Sequence, residues 1–240
     1  MEKKTYTMDD FVHIIEKLRS KDGCPWDKEQ THESLKPCMR EEAAEVLAAI
    51  RILDKTGNPE NLREELGDVL LQVVMHSQIA KEEGYFTLED VVQEVSEKMI
   101  RRHPHVFGNV QAEDSSQVLQ NWEEIKKEEK QGKEWVKTPL RDIPPELPAL
   151  VRAGKTIKKT DKLYEKQSNT KETLASIKEK IEQLEKLEES ATSLQKDQKQ
   201  AWEQALGGML WDISNLSRLV SVDAEQVLIN KIEDFIEKYE

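Results

Sequence analysis

Apolar residues recur at helical spacing through the first half of the chain, where they predict five helices. Thr7 with Asp10, and Thr87 with Asp90, have the spacing of a capping box, which marks the start of a helix. Gly57 and Pro104 mark places where a helix cannot continue. The predicted helices run from Met8 to Leu18, from about Cys38 to Asp54, from about Glu60 to Glu83, from Thr87 towards Pro104, and from a cap at Ser115 or Ser116.

A proline-rich segment separates the two halves of the chain. The stretch "TPLRDIPPELP", residues 138–148, has four prolines and little helical pattern, which indicates a linker or domain boundary. Beyond it, the apolar spacing predicts helices near residues 146–160, 171–190, 197–220 and 223–239. The string "KEKIEQLEKLEES" is typical of a solvated helix face, with a short coiled-coil arm as the alternative. No alternating strand pattern is present, so we predict an all-α fold.

Composition and charge narrow the function classes. Of the 240 residues, 35% are charged and 5% aromatic, which suits long helices with solvated outer faces. The net charge of -12 opposes a broad surface for a nucleic-acid polymer or an anionic membrane, but permits a local basic pocket. No apolar run approaches the roughly 18 residues of a membrane span. Only two cysteines are present and the N-terminus lacks a signal-peptide core, so we expect a cytoplasmic protein.

Two of the predicted helices carry acidic pairs at matching positions. Glu42 and Glu45 on the second helix have the same phase, relative to the apolar stripe, as Glu65 and Asp68 on the third. The short connection "KTGNP" favours an antiparallel hairpin with its stripes facing, which would bring the four carboxylates together on one side. The stripes are Met39, Ala43, Val46, Leu47 and Ile50 on the second helix, and Leu62, Leu66, Val69, Leu70 and Val73 on the third.

Converging carboxylates repel unless a proton or cation lies between them, and an all-oxygen set selects Mg²⁺ or Mn²⁺. The alternative is a set of surface glutamates paired with Arg40, Arg51 and Arg63. A ferritin-like di-iron bundle would need His three residues after Glu, where this chain has Glu45 and Asp68. Iron is therefore the weaker choice, while the metal and surface interpretations both stay open at this point.

Basic and aromatic side chains offer contacts for a phosphorylated ligand. Lys98, Arg101 and Arg102 close the fourth helix, where they either bind phosphates or only complement the helix dipole. Trp26, with Lys28 beside it, either stacks on a nucleobase or anchors its loop to the core. The residues alone leave both pairs of alternatives open.

Together these residues resemble the MazG family of nucleoside triphosphate pyrophosphohydrolases. The family pattern has two adjacent glutamates, a third glutamate three residues on, and later a Glu three residues before an Asp. The strings "GCPWDKEQT", "EELGDVLLQVV" and "RRHPHVFG" extend the resemblance over about residues 7–135. The resemblance implies a four-helix-bundle-type domain that works as a homodimer or higher homo-oligomer. It also implies Mg²⁺-dependent hydrolysis of nucleoside triphosphates to monophosphate and pyrophosphate, with Mn²⁺ as a substitute.

The resemblance further implies roles for individual residues. The metal ligands would be Glu42, Glu45, Glu65 and Asp68, and Glu41 would orient or deprotonate the attacking water. The residues that contact substrate would be Lys98, Arg101 and Arg102 at the phosphates, and Trp26 and Lys28 near the nucleotide.

The second half resembles a degenerate MazG-like copy. "ALGGMLWDISNLSRL" is similar to "ELGDVLLQVVMHSQI", with Ala205 and Gly208 in place of the ligand Glu and Asp. "IKEKIEQL" has Lys180 and Gln183 where the first acidic pair would stand. We therefore expect a catalytic domain over residues 1–135, a proline-rich linker over 136–149, and a helical domain without a metal site over 150–240. The last would support dimerisation or regulation.

These observations favour an enzyme that clears nucleoside triphosphates, ribo or deoxy and including non-standard ones, from the nucleotide pool. Its partners would be the nucleotide and other copies of itself, without a nucleic-acid polymer or a membrane. The alternative is a catalytically weak, nucleotide-sensing or partner-binding helical protein. Mg²⁺-dependent turnover distinguishes the two.

Overall fold

The computed structural model describes residues 5–110, 114–129, 138–189 and 196–240. Every regular element in these ranges is helical, which confirms the predicted all-α class. The chain divides into two compact units, Met1–Glu129 and Lys130–Glu240. Among the described helices, none has both the length and the apolar character that a membrane crossing requires.

The first unit is built from seven described helices. They are α1 (Met8–Arg19), α2 (Pro25–Glu29), α3 (Lys36–Thr56), α4 (Glu60–Glu82), α5 (Leu88–Arg102), α6 (Pro104–Phe107) and α7 (Ser115–Glu129). Both predicted capping boxes form: the hydroxyls of Thr7 and Thr87 accept from the backbone N–H three residues on, and the aspartates there accept in return. The predicted cap of α7 was wrong. Asp114 caps this helix, because its Oδ1 accepts from the backbone N–H of Gln117 at 2.9 Å.

Two short helices, α2 and α6, were not predicted. Each has proline in its first turn, Pro25 in α2 and Pro104 in α6. The sequence interpretation used these prolines as breaks, but proline also presets the backbone angle of a first helical turn, where its missing N–H costs nothing. Trp26 therefore lies on a short helix rather than in the predicted loop.

Helices α3 and α4 pack as an antiparallel hairpin, as predicted. Gly57 closes α3 with a φ of 73°, a left-handed conformation that favours glycine, and its N–H bonds the carbonyl of Leu53 at 2.8 Å. The buried core of this unit lies where α1 and the start of α3 meet the second half of α4. Its fully buried members are Ile15, Leu35, Val74, Met75 and Ile79.

The apolar stripes of α3 and α4 face one another only in part. Leu47 and Ile50 on α3 are 59% and 48% exposed, and Leu66 and Leu70 on α4 are 52% and 40% exposed. For these four leucine and isoleucine side chains, the prediction that they pack within the hairpin was wrong. Periodicity identifies an apolar face but does not say which surface covers it. We call these four residues the hairpin patch.

The second unit contains four described helices after a 3₁₀ turn at Leu140–Asp142. They are α8 (Ala149–Leu163), α9 (Thr170–Glu189), α10 (Lys196–Leu219) and α11 (Ala224–Tyr239), within a few residues of the prediction. Helix α9 packs along α10 inside this unit and does not form a separate coiled-coil arm. The proline-rich segment packs on α8: Ile143 is buried and Asp142 accepts from Lys159 Nζ at 2.9 Å. Residues 136 and 137 of the predicted linker lie outside the described residues.

A pair of histidines joins the segment before α3 to α4. The rings of His32 and His76 stack with centroids 5.1 Å apart, and their Nδ1 atoms lie 2.8 Å apart. Such a bond needs one protonated and one unprotonated Nδ1, so protonation of both rings breaks it. Partial burial, together with the neighbouring His32, lowers the pKa of His76 from its ordinary value of 6.5.

We expect His76 to make the protein less stable in mild acid. Because its pKa is lower in the folded state, the unfolded chain takes up the proton first. The contribution of the neutral His76 ring to stability is complete above pH 6.5. It is lost as the pH falls through that value towards the pKa of His76 in the folded protein. Urea unfolding at pH 7.5 and 5.5 measures this loss, and His76→Gln should reduce it. His13→Gln, at an exposed ring on α1, is the control. An equal loss in wild type and His76→Gln would contradict the assignment.

Candidate metal and nucleotide site

Acidic side chains converge on one side of the α3–α4 hairpin. Glu42 and Glu45 lie one turn apart on α3, and Glu65 lies across from them on α4. Each offers a carboxylate oxygen, and these oxygens all lie within 4.8 Å of one another. In the described part of the chain, this is the one group of three such side chains close enough to share a metal ion. With Asp68, one turn after Glu65, we call it the acidic cluster.

Mutual repulsion makes it unfavourable for all four side chains of the cluster to be negatively charged. Partial burial raises the pKa of Glu42. The negative charges of Asp68, Glu45 and Glu65 raise this pKa further, as does a hydrogen bond between Glu42 and Glu45. Asp68 is thus near enough to act on Glu42, although it lies outside the tightest group of three. Carboxylates packed in this way need a shared proton or a cation to relieve their repulsion.

Asn61 holds one of the cluster carboxylates in place. Its Nδ2 donates to Glu65 Oε1 at 2.7 Å from one turn earlier on α4. This contact orients the Glu65 carboxylate. Sequence reasoning did not select Asn61, although an Asn four residues before a candidate ligand is the spacing at which the two side chains meet.

The cluster fits a small hard cation. Mg²⁺ binds oxygen at about 2.0–2.1 Å, so oxygens on opposite sides of the ion lie about 4.2 Å apart. The oxygens that the three carboxylates offer lie within 4.8 Å of one another, which is compatible with that spacing, and all the donors are oxygen. Glu42, Glu65 and Asp68 are half-buried and Glu45 is exposed, which leaves room for a partly hydrated ion. Glu41 is solvent-exposed and does not belong to the group of three.

The two arginines at the end of α5 bind a carboxylate of α7. Arg101 and Arg102 both bind Glu129, with Arg101 Nε at 2.8 Å from Oε1 and Arg102 Nε at 3.1 Å from Oε2. Hydrogen bonds from Arg102, then Arg101, lower the pKa of Glu129 to about 2 against the opposing effect of burial. The guanidinium of Arg102 also lies over the ring of Trp122, 5.6 Å from its centroid. The sequence analysis considered phosphate binding and the helix dipole for these arginines, and predicted neither the carboxylate partner nor the contact with Trp122.

Lys98 lies one turn before the arginine pair on α5. It is half-buried and forms no ion pair or side-chain hydrogen bond with the residues that the structure describes. Its ammonium group is therefore available to an anionic ligand in a way that Arg101 and Arg102 are not.

Trp26 is exposed and does not anchor its segment to the core. It is 60% exposed on α2, so the anchoring alternative was wrong. Lys28 donates from Nζ to the carbonyl of Lys21 at 2.9 Å, which closes the segment between α1 and α2. The anchor is Arg19, which sequence reasoning missed. Its side chain is 5% exposed and binds the Glu82 carboxylate and the carbonyls of Asp27 and Gln30.

The second unit has an ion pair in its α9–α10 hairpin, where the resemblance between the two halves predicts the counterpart of the acidic cluster. Lys180 donates from Nζ to Asp212 Oδ2 at 2.6 Å and to Ser176 Oγ at 2.7 Å. A Cβ on Gly208 would lie 2.6 Å from Lys180 Cε, so the end of the lysine side chain lies over Gly208 and would have to move if this residue had a side chain. The described residues of this unit form no group of three metal-binding side chains.

Comparison with known proteins gives a consistent result over most of the chain. The model of the MazG nucleotide pyrophosphohydrolase domain matches residues 30–107. The nucleoside triphosphate pyrophosphohydrolase/pyrophosphatase MazG of Thermotoga maritima is 41% identical over 96% of this chain and 83% of its own. The nucleoside triphosphate pyrophosphohydrolase of Escherichia coli K12 is 39% identical over 97% of this chain and 85% of its own. The uncharacterized protein YabN of Bacillus subtilis is 53% identical over 60% of this chain but 28% of its own.

Proposed function

The chain belongs to the MazG family of nucleotide pyrophosphohydrolases, and we propose from this that it hydrolyses nucleoside triphosphates to monophosphate and pyrophosphate. The observation that carries the proposal is the convergence of Glu42, Glu45 and Glu65 within the matched segment. The substrates are ribo- or deoxynucleoside triphosphates, non-standard ones included, as in nucleotide-pool housecleaning. The names of the Thermotoga and Escherichia relatives support this substrate class.

The acidic cluster is the proposed site of Mg²⁺, with Mn²⁺ as a substitute. Glu42, Glu45, Glu65 and Asp68 would hold the ion, which supplies polarisation of phosphate oxygens and lowers the pKa of bound water. Asn61 keeps Glu65 oriented by the hydrogen bond to Oε1. Glu41, exposed beside Glu42, takes the proton from the attacking water or orients that water.

The basic end of α5 is the proposed site of the phosphates. Lys98, Arg101 and Arg102 offset the negative charge that develops on the departing pyrophosphate. Because both arginines bind Glu129, the triphosphate has to compete with this carboxylate for their guanidinium groups. Trp26 presents an exposed ring for stacking on a base, with Lys28 beside it, and such stacking discriminates little among bases.

The test of this function is pyrophosphate release from a panel of NTPs and dNTPs with Mg²⁺, repeated with a chelator in excess. Release from at least one nucleotide that the chelator abolishes is the expected result. If the folded protein binds Mg²⁺ and nucleotide but releases no pyrophosphate from any of them, the enzyme proposal fails. The nucleotide-sensing or partner-binding alternative would then replace it.

The proposed assembly is a homodimer in which two copies of the hairpin patch cover each other. The patch continues the apolar stripes of α3 and α4 beyond the surface that the unit buries. A second copy is the proposed occupant because two antiparallel hairpins packed about a two-fold axis complete a four-helix arrangement. The corresponding leucines of the second unit, Leu206 and Leu210, are also exposed, at 46% and 52%.

We expect Leu66→Glu to convert the dimer to a monomer, because a dimer would place the new charge of each copy in an apolar contact. Size-exclusion chromatography with light scattering measures the change, and circular dichroism checks that helicity is retained. Leu119→Glu is the matched control, since Leu119 is 57% exposed on α7, outside the patch. If the Leu66→Glu protein remains dimeric, the hairpin patch is not the interface.

A further inference from the structure

Gln72 is a buried polar residue on α4, the helix that carries Glu65 and Asp68. Its side chain is 6% exposed, and its Oε1 has no hydrogen-bond partner among the described residues. An amide oxygen removed from water without a partner is destabilising, and an apolar residue of similar size would avoid that cost. Gln72 follows Asp68 by one helical turn, so the two side chains project from the same side of α4. The unpaired oxygen therefore neighbours the acidic cluster.

The second unit shows where a side chain at this position reaches. The strings "ELGDVLLQ" (65–72) and "ALGGMLWD" (205–212) share leucine, glycine and leucine at the same spacing, which aligns Gln72 with Asp212. The string "IKEKIEQL" on α9 aligns with the acidic segment of α3, so Lys180 corresponds to Glu42. Asp212 crosses the α9–α10 hairpin to bind Lys180 Nζ at 2.6 Å. By this correspondence, position 72 faces Glu42 across the α3–α4 hairpin.

An amide suits this place better than a further acid. The four carboxylates already repel one another, and a fifth would add to that repulsion without adding an ion to balance it. Bound Mg²⁺ keeps several water ligands, and each such water is a strong hydrogen-bond donor that needs an acceptor outside the ligand set. Gln72 Oε1 offers an uncharged acceptor that is buried and has no other hydrogen-bond partner among the described residues.

We propose that Gln72 is a positioning residue of the acidic cluster, whose Oε1 accepts a hydrogen bond from a water molecule on the bound cation. The inference rests on the proposed function, because it requires the cluster to hold a divalent ion. In this role Gln72 adds to the affinity for the ion and orients its water ligands, while the four carboxylates provide the direct bonds. A water ligand of the bound ion would give the buried Oε1 of Gln72 its hydrogen-bond partner.

The test measures Mn²⁺ binding, by the electron paramagnetic resonance signal of the free ion, without nucleotide or turnover. We expect Gln72→Leu to weaken binding about tenfold or more, as loss of outer-shell contacts does. Gln72→Glu keeps an acceptor and should restore most of the affinity for the cation, although its added charge makes the protein without metal less stable. Ser77→Ala is the matched control, because Ser77 is also buried on α4 but bonds only the carbonyl of Val73.

Stability in urea without metal separates the proposed role from a structural one. The proposal expects Gln72→Leu to be at least as stable as wild type, because it removes an unpaired buried oxygen. Unchanged Mn²⁺ affinity in Gln72→Leu, or equal weakening in Gln72→Leu and Gln72→Glu, overturns the role of Gln72. If Gln72→Leu does not fold, Gln72→Met takes its place with the same expectation. Absence of Mn²⁺ binding by the wild type overturns the metal site itself, which is a different failure.

Discussion

Glu42→Gln and Asp68→Asn are each expected to lower the rate of pyrophosphate release by about 10²–10³-fold, the usual loss when a group that stabilises transition-state charge is removed. Each change replaces a carboxylate by an amide of the same shape, so the hairpin should keep its packing. The loss follows from weaker cation binding, because an amide is a poorer ligand for Mg²⁺ than a carboxylate. Pyrophosphate release at saturating nucleotide measures it.

Glu42→Gln is also expected to stabilise the protein measured without metal. Burial and the neighbouring carboxylates raise the pKa of Glu42, so its charge is unfavourable in the folded state. The folded protein binds this proton more tightly than the unfolded chain, so the unfavourable contribution of Glu42 to stability should shrink as the pH falls towards 4.5. Glu42→Gln removes the unfavourable charge at neutral pH.

Glu64→Gln is the matched control for these variants. Glu64 is an exposed neighbour of Glu65 on the same helix and is not a member of the acidic cluster. It should retain wild-type turnover and stability. A Glu42→Gln protein that is folded and fully active would contradict the metal-site assignment, and so would a Glu64→Gln protein that loses activity equally.

The largest expected loss of stability in the first unit follows Arg19→Met, at about 2–4 kcal/mol for a buried ion whose partners are left unpaired. Arg19 is 5% exposed, and its guanidinium joins α1 to α4 through Glu82 and holds α2 by two carbonyls. Although burial favours the neutral acid, hydrogen bonds from Arg19 and Gln78 hold the pKa of Glu82 below its ordinary value of 4.5. Urea unfolding measures the loss.

Lys81→Met is the matched control for Arg19→Met. The Lys81–Glu16 ion pair also joins α4 to α1, at 2.6 Å, but the lysine side chain is 52% exposed. We expect its loss to cost no more than about 1 kcal/mol, as for other surface ion pairs. Equal destabilisation by Arg19→Met and Lys81→Met would show that burial of Arg19 does not decide the result.

Because Arg19 also holds the helix that carries Trp26, Arg19→Met should raise KM for the nucleotide more than it lowers kcat.

Local patterns in the sequence were sufficient to predict the capping boxes and the acidic cluster. Thr7 and Asp10 are three residues apart, and their mutual hydrogen bonds need nothing beyond that spacing. Glu42, Glu45 and Glu65 were placed by helical phase and a short connection, both of which can be read along the chain. The all-α class followed for the same reason, since each helix shows its own periodicity.

Contacts between distant residues were not predictable in this way. Arg19 and Glu82 are 63 positions apart, and Arg102 and Glu129 are 27 apart in a charge-rich chain with many alternative partners. The exposure of Leu47 and Leu66 was missed because a stripe of apolar residues is the same whether its own chain or another chain covers it. Helix α2 is too short to be stable alone and depends on Arg19, so periodicity gives little signal for it.

The contact between Lys180 and Gly208 sets the position from which the lysine forms its ion pair. A Cβ at position 208 would lie 2.6 Å from Lys180 Cε, so alanine there moves the flexible end of the lysine side chain. That end carries the Nζ that bonds Asp212 and Ser176. The backbone of the α9–α10 hairpin does not have to move, because the lysine end group adjusts by rotation of its own side chain. The ion pair, rather than the packing of the two helices, therefore depends on glycine at 208.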